Sequence, residues 1–217
     1  MLTRRHFLIT KAALFSTALA SPSFAATGNW DRWDAQVTPI AYDPATSNPW
    51  GLHYRFLPTR VEARPGLRPG DIHVDAVARY LYHIQNDGTA TRYGVAIARG
   101  NLYEPGTYTI KRKAKWPRWT PTAEMIKRDP DTYAQHAGGM PGGPDNPLGS
   151  RALYLYVGNR DTYLRIHGTP HPRSVGGRAS SGCVRMVMAH IIGLYEQVNT
   201  GNRAILHPPE TYITAQS

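Results

Sequence analysis

The sequence predicts a mainly-β domain, a sandwich or barrel of mixed strands with one substantial helix late in the chain. Three observations carry that reading. Apolar and polar residues alternate over short runs, the period of a half-buried strand. Strong turn sequences such as Asn86-Asp87-Gly88 and Glu104-Pro105-Gly106 separate those runs. Only Val187, Ile191, Leu194 and Val198 repeat at a sustained helical spacing, and Gly201 offers that helix a stop. With 217 residues the chain is long enough to bury a real core, and a single folded domain is the natural count.

Residues 1–25 read as a cleavable export signal. Arg4, Arg5 and Lys11 precede a short apolar stretch, and Ser23-Phe24-Ala25 supplies small residues for cleavage. Thr3-Arg4-Arg5-His6-Phe7-Leu8 fits the twin-arginine pattern, although Ile9 stands where that pattern often has lysine, so Sec export stays open. No later run is long enough to span a membrane. The expected location is the periplasm. Residues 26–70 are rich in Pro, Trp, Asn and Gly and read as a loosely structured arm that packs through Trp30, Trp33 and Trp50.

From residue 71 to 217 the pattern is that of the folded domain. Strands are expected over residues 72–75, 78–84, 92–98 and 107–112, followed by 152–157, 163–167 and a last one over 204–207. Thr120 with Pro121 reads as the N-cap and first position of a short helix running to Lys127. The Gly/Pro-rich stretch 138–149 excludes a regular element. It lacks the lysine and the strand-loop-helix context of a phosphate loop, so nucleotide binding is excluded and a mobile lid is expected. Trp116 and Trp119 read as core packing or groove lining, and Met186 and Met188 as core.

The charge balance is basic, with 25 Lys+Arg against 15 Asp+Glu. Without Arg4, Arg5 and Lys11 the remainder carries 22 cations against 15 anions. Those cations are scattered rather than gathered in a tract, which argues against nucleic acid and suits an acidic envelope polymer. His136, His167, His171 and His207 fit no compact ligand spacing, so no metal or other cofactor is expected.

The chain has one cysteine, so its stability cannot rest on an internal disulfide. Cys183 lies in Ser180-Ser181-Gly182-Cys183-Val184-Arg185-Met186, fifteen residues after His167 in Ile166-His167-Gly168-Thr169. A lone thiol is a buried bystander, an intermolecular linker or a reactive group. Small flanking residues and an upstream histidine point to a nucleophile, because an imidazole can take the thiol proton. Placed just before a helix, the thiolate would gain from the helix N-terminus. The amides of Gly182 and Cys183 are candidate oxyanion donors, each worth ~100-fold or more in rate. Arg185 is placed to bind a carboxylate or brace the loop.

Those two segments resemble the signature of the L,D-transpeptidases with a YkuD-type catalytic domain. Pro105-Gly106-Thr107-Tyr108, Trp116-Pro117-Arg118-Trp119-Thr120-Pro121 and Pro141-Gly142-Gly143-Pro144-Asp145-Asn146-Pro147-Leu148-Gly149 resemble the ErfK-like Gram-negative group. The likeness runs from about residue 71 to 207. It implies Cys183 as nucleophile, His167 as base and the Gly168 carbonyl as the group that orients it. It also implies an oxyanion and substrate-binding turn of Ser180, Ser181 and Gly182, with Arg185 behind it. Many members carry histidine where this chain has Ser181, so no second imidazole is expected there.

The implied reaction is acyl transfer from the third residue of a peptidoglycan tetrapeptide stem, with release of the terminal D-alanine. The acceptor is an amine of another stem or of an envelope protein. Water as acceptor would make the enzyme an L,D-carboxypeptidase, and a non-catalytic wall-binding module is the remaining alternative.

Overall fold

The computed structural model describes residues 30–209. The export signal expected over residues 1–25 lies outside them. The described residues begin with a short helix, Trp30–Val37 (α1), and a strand, Thr59–Glu62 (β1), follows. A meander follows: Ile72–Asp75 (β2), Tyr80–Ile84 (β3) and Thr89–Gly94 (β4), then the two-residue Ile97–Ala98 (β5). The long strand Gly106–Lys115 (β6) leads into two small helices, Ala123–Arg128 (α2) and Pro130–Tyr133 (α3). Arg151–Val157 (β7) and Arg160–Thr169 (β8) form the next hairpin, and Arg178–Ser180 (β9) and Val184–Val187 (β10) follow. Met188–Gln197 (α4) and Arg203–Leu206 (β11) complete the described chain.

Side chains that bond their own backbone set the turns of the meander. Asp75 Oδ1 accepts the N–H groups of Val77 and Ala78, and Asp87 Oδ1 accepts that of Thr89. Nine of the strands join in one sheet ordered β1-β4-β3-β2-β11-β6-β7-β8-β10, and β5 and β9 pair in parallel as a second, two-stranded sheet. In the nine-stranded sheet β11 runs parallel to β2 and β10 parallel to β8, whereas the other neighbours are antiparallel. The sheet then curls toward closure, because Ala96 and Arg185 exchange both backbone hydrogen bonds at 2.9 and 2.8 Å. That contact joins β10, at one end of the sheet, to the chain leaving β4 near the other.

The core fills the inside of this curl. Ile72, Leu81, Ile110, Leu153, Leu155, Ile166 and Met186 are fully buried together. α4 covers the sheet with Ile191 and Leu194, each worth ~1.5–3 kcal/mol of burial. Met186 and Met188 are buried core residues, and Trp116 and Trp119 are buried as well.

Several local expectations shift. The strand expected over 92–98 is broken: β4 starts at Thr89, and Ala96 leaves the ladder to bond Arg185. The helix expected from Thr120 starts at Ala123, because Thr122 rather than Thr120 accepts the Met125 N–H, at 3.2 Å. Cys183 is not beside a helix N-terminus, since the four-residue β10 separates it from α4. The dipole contribution expected at the thiol is therefore absent.

Residues 30–70 are not loose. β1 pairs antiparallel with β4 and extends the sheet. Asp34 of α1 receives both Arg151 guanidinium nitrogens, at 2.8 and 2.6 Å, and the Trp116 indole N–H at 3.0 Å. Trp33 packs edge-on against Trp116. Farther along, Tyr42, Trp50, Leu52 and Phe56 form a second apolar cluster with Val187, Ala189 and Val175. His190 of α4 is enclosed there by the rings of Tyr42, Trp50 and Tyr93, with neither ring nitrogen hydrogen-bonded.

Two stability predictions follow from these contacts. Arg151 is only 2% exposed, so Asp34→Ala strands a buried cation. The expected cost is about 3 kcal/mol, read by calorimetry as a fall in Tm on the order of 10 °C. An unchanged Tm would show that the α1 contact is not structural. Burial also pushes His190 down to about 3 from the usual 6.5, so the unfolded chain takes up this proton first as pH falls. The resulting stability is fully present above pH 6.5 and is lost progressively toward pH 3. His190→Phe should flatten the acid limb of a stability–pH curve by about 1.4 kcal/mol per pH unit in that window.

Candidate active site

The site is built where β8 and β10 run side by side. Their parallel register sets Arg185 opposite His167 and Val184 opposite Ile166. Side chains alternate along a strand, so Ile166, Val184 and Met186 enter the core while Arg165, His167 and Arg185 share the other face. Cys183 stands at the foot of β10 on the turn Ser181-Gly182-Cys183, half-buried.

That turn is braced from below. The buried Ser180 hydroxyl donates to the Cys183 carbonyl and accepts the Gly182 N–H at 3.4 Å. Gly182 has φ +142°, a left-handed conformation that a side chain would strain. Ser181 turns the other way, toward α3, where its hydroxyl lies 3.0 Å from that of Tyr133.

His167 is buried, and its Nδ1 is 2.5 Å from the Gly168 carbonyl. A carbonyl only accepts, so Nδ1 carries the proton and Nε2 is left as the basic nitrogen. Burial, aided by the Arg185 charge, pushes His167 down to about 3, against the pull of hydrogen bonds to the Gly168 and Leu148 backbone. The imidazole is therefore neutral at pH 7. Segment 148–150 reaches this close because Gly149, at φ +62°, lies against Gly168; a Cβ on Gly149 would come within 2.7 Å of the Gly168 carbonyl carbon.

The thiol has a different balance. Burial pushes it up, and the Arg165 backbone N–H and the Arg165 and Arg185 charges pull it partly back, while Glu104 works with burial. Its Sγ–H donates to the Tyr163 carbonyl at 3.7 Å. That carbonyl is aimed by a bulge in β8, where the register against β7 shifts between Tyr154 and Tyr156. Asp161 Oδ1 accepts the Tyr163 N–H at 2.8 Å, and Tyr163 takes φ +61°. Asp161 also receives both Arg165 guanidinium nitrogens, at 2.7 and 2.9 Å.

The stretch from Trp116 to Ser150 meets the site at two points, Tyr133 at Ser181 and Gly149 at Gly168. Trp119 and Met140 exchange backbone hydrogen bonds at its neck, and Asn146 binds the Pro141 carbonyl and the Leu148 N–H within its tip. Residues 138–149 contain no helix or strand.

The structure sets Arg185 beside His167, whose ring meets the Gly168 carbonyl, while Ser180 and Gly182 shape the turn that carries Cys183; the thiol itself faces the Tyr163 carbonyl, and Ser181 sits at the rim. Three neighbours went unread in the sequence. Arg165 was visible in principle, since it lies two residues before His167 and must share its strand face. The bulge at Asp161–Tyr163 and the approach of Tyr133 depend on tertiary contacts and leave no local signal. Among the described residues, no group of three or more His, Cys, Asp or Glu is placed to hold a metal ion.

Comparison with known proteins follows this geometry. Residues 69–206 match the model of the YkuD family, described as the L,D-transpeptidase catalytic domain. The chain is 28% identical over 161 residues to the probable L,D-transpeptidase ErfK/SrfK of Escherichia coli K12, covering 73% of this chain and 50% of that protein. It spans half the length or less of the curated relatives compared. A Brucella melitensis crystal structure titled a probable carnitine operon oxidoreductase is 47% identical, with TM-score 0.50 over 70% of this chain and 94% of that one. The Ldtfm–avibactam carbamoyl enzyme shares the fold at TM-score 0.50 and 13% identity, over 65% of this chain and 50% of that one. The extent of the family match settles the assignment: this chain belongs to the YkuD family of L,D-transpeptidase catalytic domains.

Proposed function

We propose that this protein is a peptidoglycan L,D-transpeptidase acting in the periplasm through Cys183. The observation that carries the reading is the pairing of β10 with β8. It sets a half-buried thiol at the start of one strand and, on the next, a neutral imidazole whose Nδ1 is already committed to Gly168.

Cys183 Sγ attacks the carbonyl of the third residue of a tetrapeptide stem, and His167 Nε2 takes the thiol proton. The Cys183 backbone N–H is the donor assigned to the developing oxyanion, because the Gly182 N–H already donates to Ser180 Oγ. The tetrahedral intermediate collapses, the C–N bond to D-alanine breaks, and His167 returns the proton to the departing amine. An acceptor amine then attacks the thioester, giving one proton to His167. Cleavage of the C–S bond restores the thiol with that proton. Arg185 holds positive charge behind the reacting groups and keeps His167 neutral between steps.

The acceptor is an amine of a second stem or of an envelope protein. Mass spectrometry of the protein with disaccharide tetrapeptide tests the reading directly. D-alanine release with a cross-linked dimer is expected. Both should vanish in Cys183→Ala and fall about 100- to 10,000-fold in His167→Gln. Tripeptide without dimer would move the assignment to an L,D-carboxypeptidase. Absence of turnover and of any acyl-enzyme adduct would leave only a wall-binding module.

The protonation states give a second prediction. With the thiol pushed up and His167 pushed down to about 3, the resting pair is thiol and imidazole rather than thiolate and imidazolium. Alkylation of Cys183 by iodoacetamide should therefore rise about tenfold per pH unit between pH 6 and 8. A flat rate across that range would show a preformed ion pair.

A further inference from the structure

Three guanidinium groups act on the site, and they are not equivalent. Arg165 is committed to Asp161 through both terminal nitrogens, donates to the Leu164 carbonyl and stacks over the Tyr154 ring. Arg185 is held in the ladder opposite His167, where burial lowers its own pKa. Arg99 is different. Its side chain is 49% exposed, and its charge is close enough to Arg185 to lower that group further.

The backbone of Arg99 is tied beside the catalytic turn: its N–H donates to the Ser180 carbonyl at 3.0 Å, and its carbonyl accepts the Leu102 N–H at 3.2 Å. Among the described residues its one ion-pair partner is Asp129, at 4.0 Å. That carboxylate is divided, because its other oxygen accepts the Thr132 N–H and caps α3. A long, half-exposed pair of this kind contributes little and yields readily to a carboxylate that can take the guanidinium face on.

We propose that Arg99 is the substrate-binding residue that recognises the free terminal carboxylate of the leaving residue, exchanging Asp129 for it when the stem peptide binds. The assignment rests on the acyl-transfer reading and adds a specificity to it. A terminal residue places its carboxylate about one residue length, ~4 Å, beyond the scissile carbonyl. That group must therefore lie close to the thiol, and Arg99, whose backbone is bonded to Ser180 three residues before Cys183 and whose side chain is half-exposed, is the cation assigned to it. Arg99 then confines the enzyme to stems that end at the residue being expelled, and a stem blocked or extended at that end loses the contact.

The test compares two synthetic tetrapeptide stems, one ending in a free carboxylate and the other in a carboxamide. Binding to Cys183→Ala protein is measured by calorimetry, and turnover of the protein with Cys183 intact by mass spectrometry. The free acid should bind about ten- to hundredfold more tightly than the amide. Adding Arg99→Gln should erase that preference by weakening the acid alone, and Arg99→Lys should restore part of it. Asp129→Asn keeps a helix-capping side chain and should bind the acid as well as or better than the parent. Turnover by Arg99→Gln should show a raised KM with kcat within about twofold, its circular dichroism unchanged.

Equal binding of acid and amide, or unaltered preference in Arg99→Gln, would overturn the proposal even where acyl transfer proceeds. A loss in Asp129→Asn as large as in Arg99→Gln would also overturn it, by showing the pair to be structural. Selective binding without turnover would support the role of Arg99 and sink the acyl-transfer reading instead.

Discussion

The register between β8 and β10 is the constraint on which the site depends. Setting Arg185 against His167 places both on the face opposite the core and puts Cys183 at the mouth of the strand. A slip of one residue would send His167 inward and Ile166 outward, because side chains alternate along a strand. The inward residues prevent that slip: Ile166, Val184 and Met186 are fully buried among the core side chains. The bond pair between Ala96 and Arg185 holds the other edge of β10. Hydrophobic burial on one face thus fixes the polar chemistry on the other.

The electrostatics follow from that placement. Burial alone would disfavour charge on both the thiol and the imidazole, and the two arginines break the symmetry. They oppose an imidazolium and favour a thiolate, so the proton on His167 is held only briefly during the proposed reaction. An enzyme resting as thiol and neutral imidazole exposes little thiolate to oxidants. Under the proposed periplasmic role, with no second cysteine in the chain, that resting state would protect the nucleophile.

Much of this was legible in the sequence because the signals were local. Strand alternation located β2, β3 and β7 closely, and the spacing of Ile191 and Leu194 located α4. Cys183, His167 and Arg185 lay in a short pattern that residue type alone signalled weakly, and the family resemblance gave them and Gly168 their expected roles. What the sequence hid was tertiary. The arm looked loose because its apolar residues follow no period; they meet α4 and the sheet one at a time, through Trp50, Leu52 and Phe56. The strand between the cysteine and α4 went unread, because Val184 to Val187 carry apolar residues compatible with either a strand or a helix. Only the pairing with β8 decides between them.

Ser181 gains meaning from the same tertiary view. In this chain its hydroxyl meets Tyr133, at the end of α3, while Asp129 at the start of α3 faces Arg99. The short helix is therefore held at both ends, by the catalytic turn and by the residue bonded to Ser180. An imidazole at position 181 would be larger than the serine and would require α3 to sit elsewhere. The serine at this position and the tyrosine on α3 belong to one packing solution. Both contacts are single and polar, so each adds little to the hold on α3.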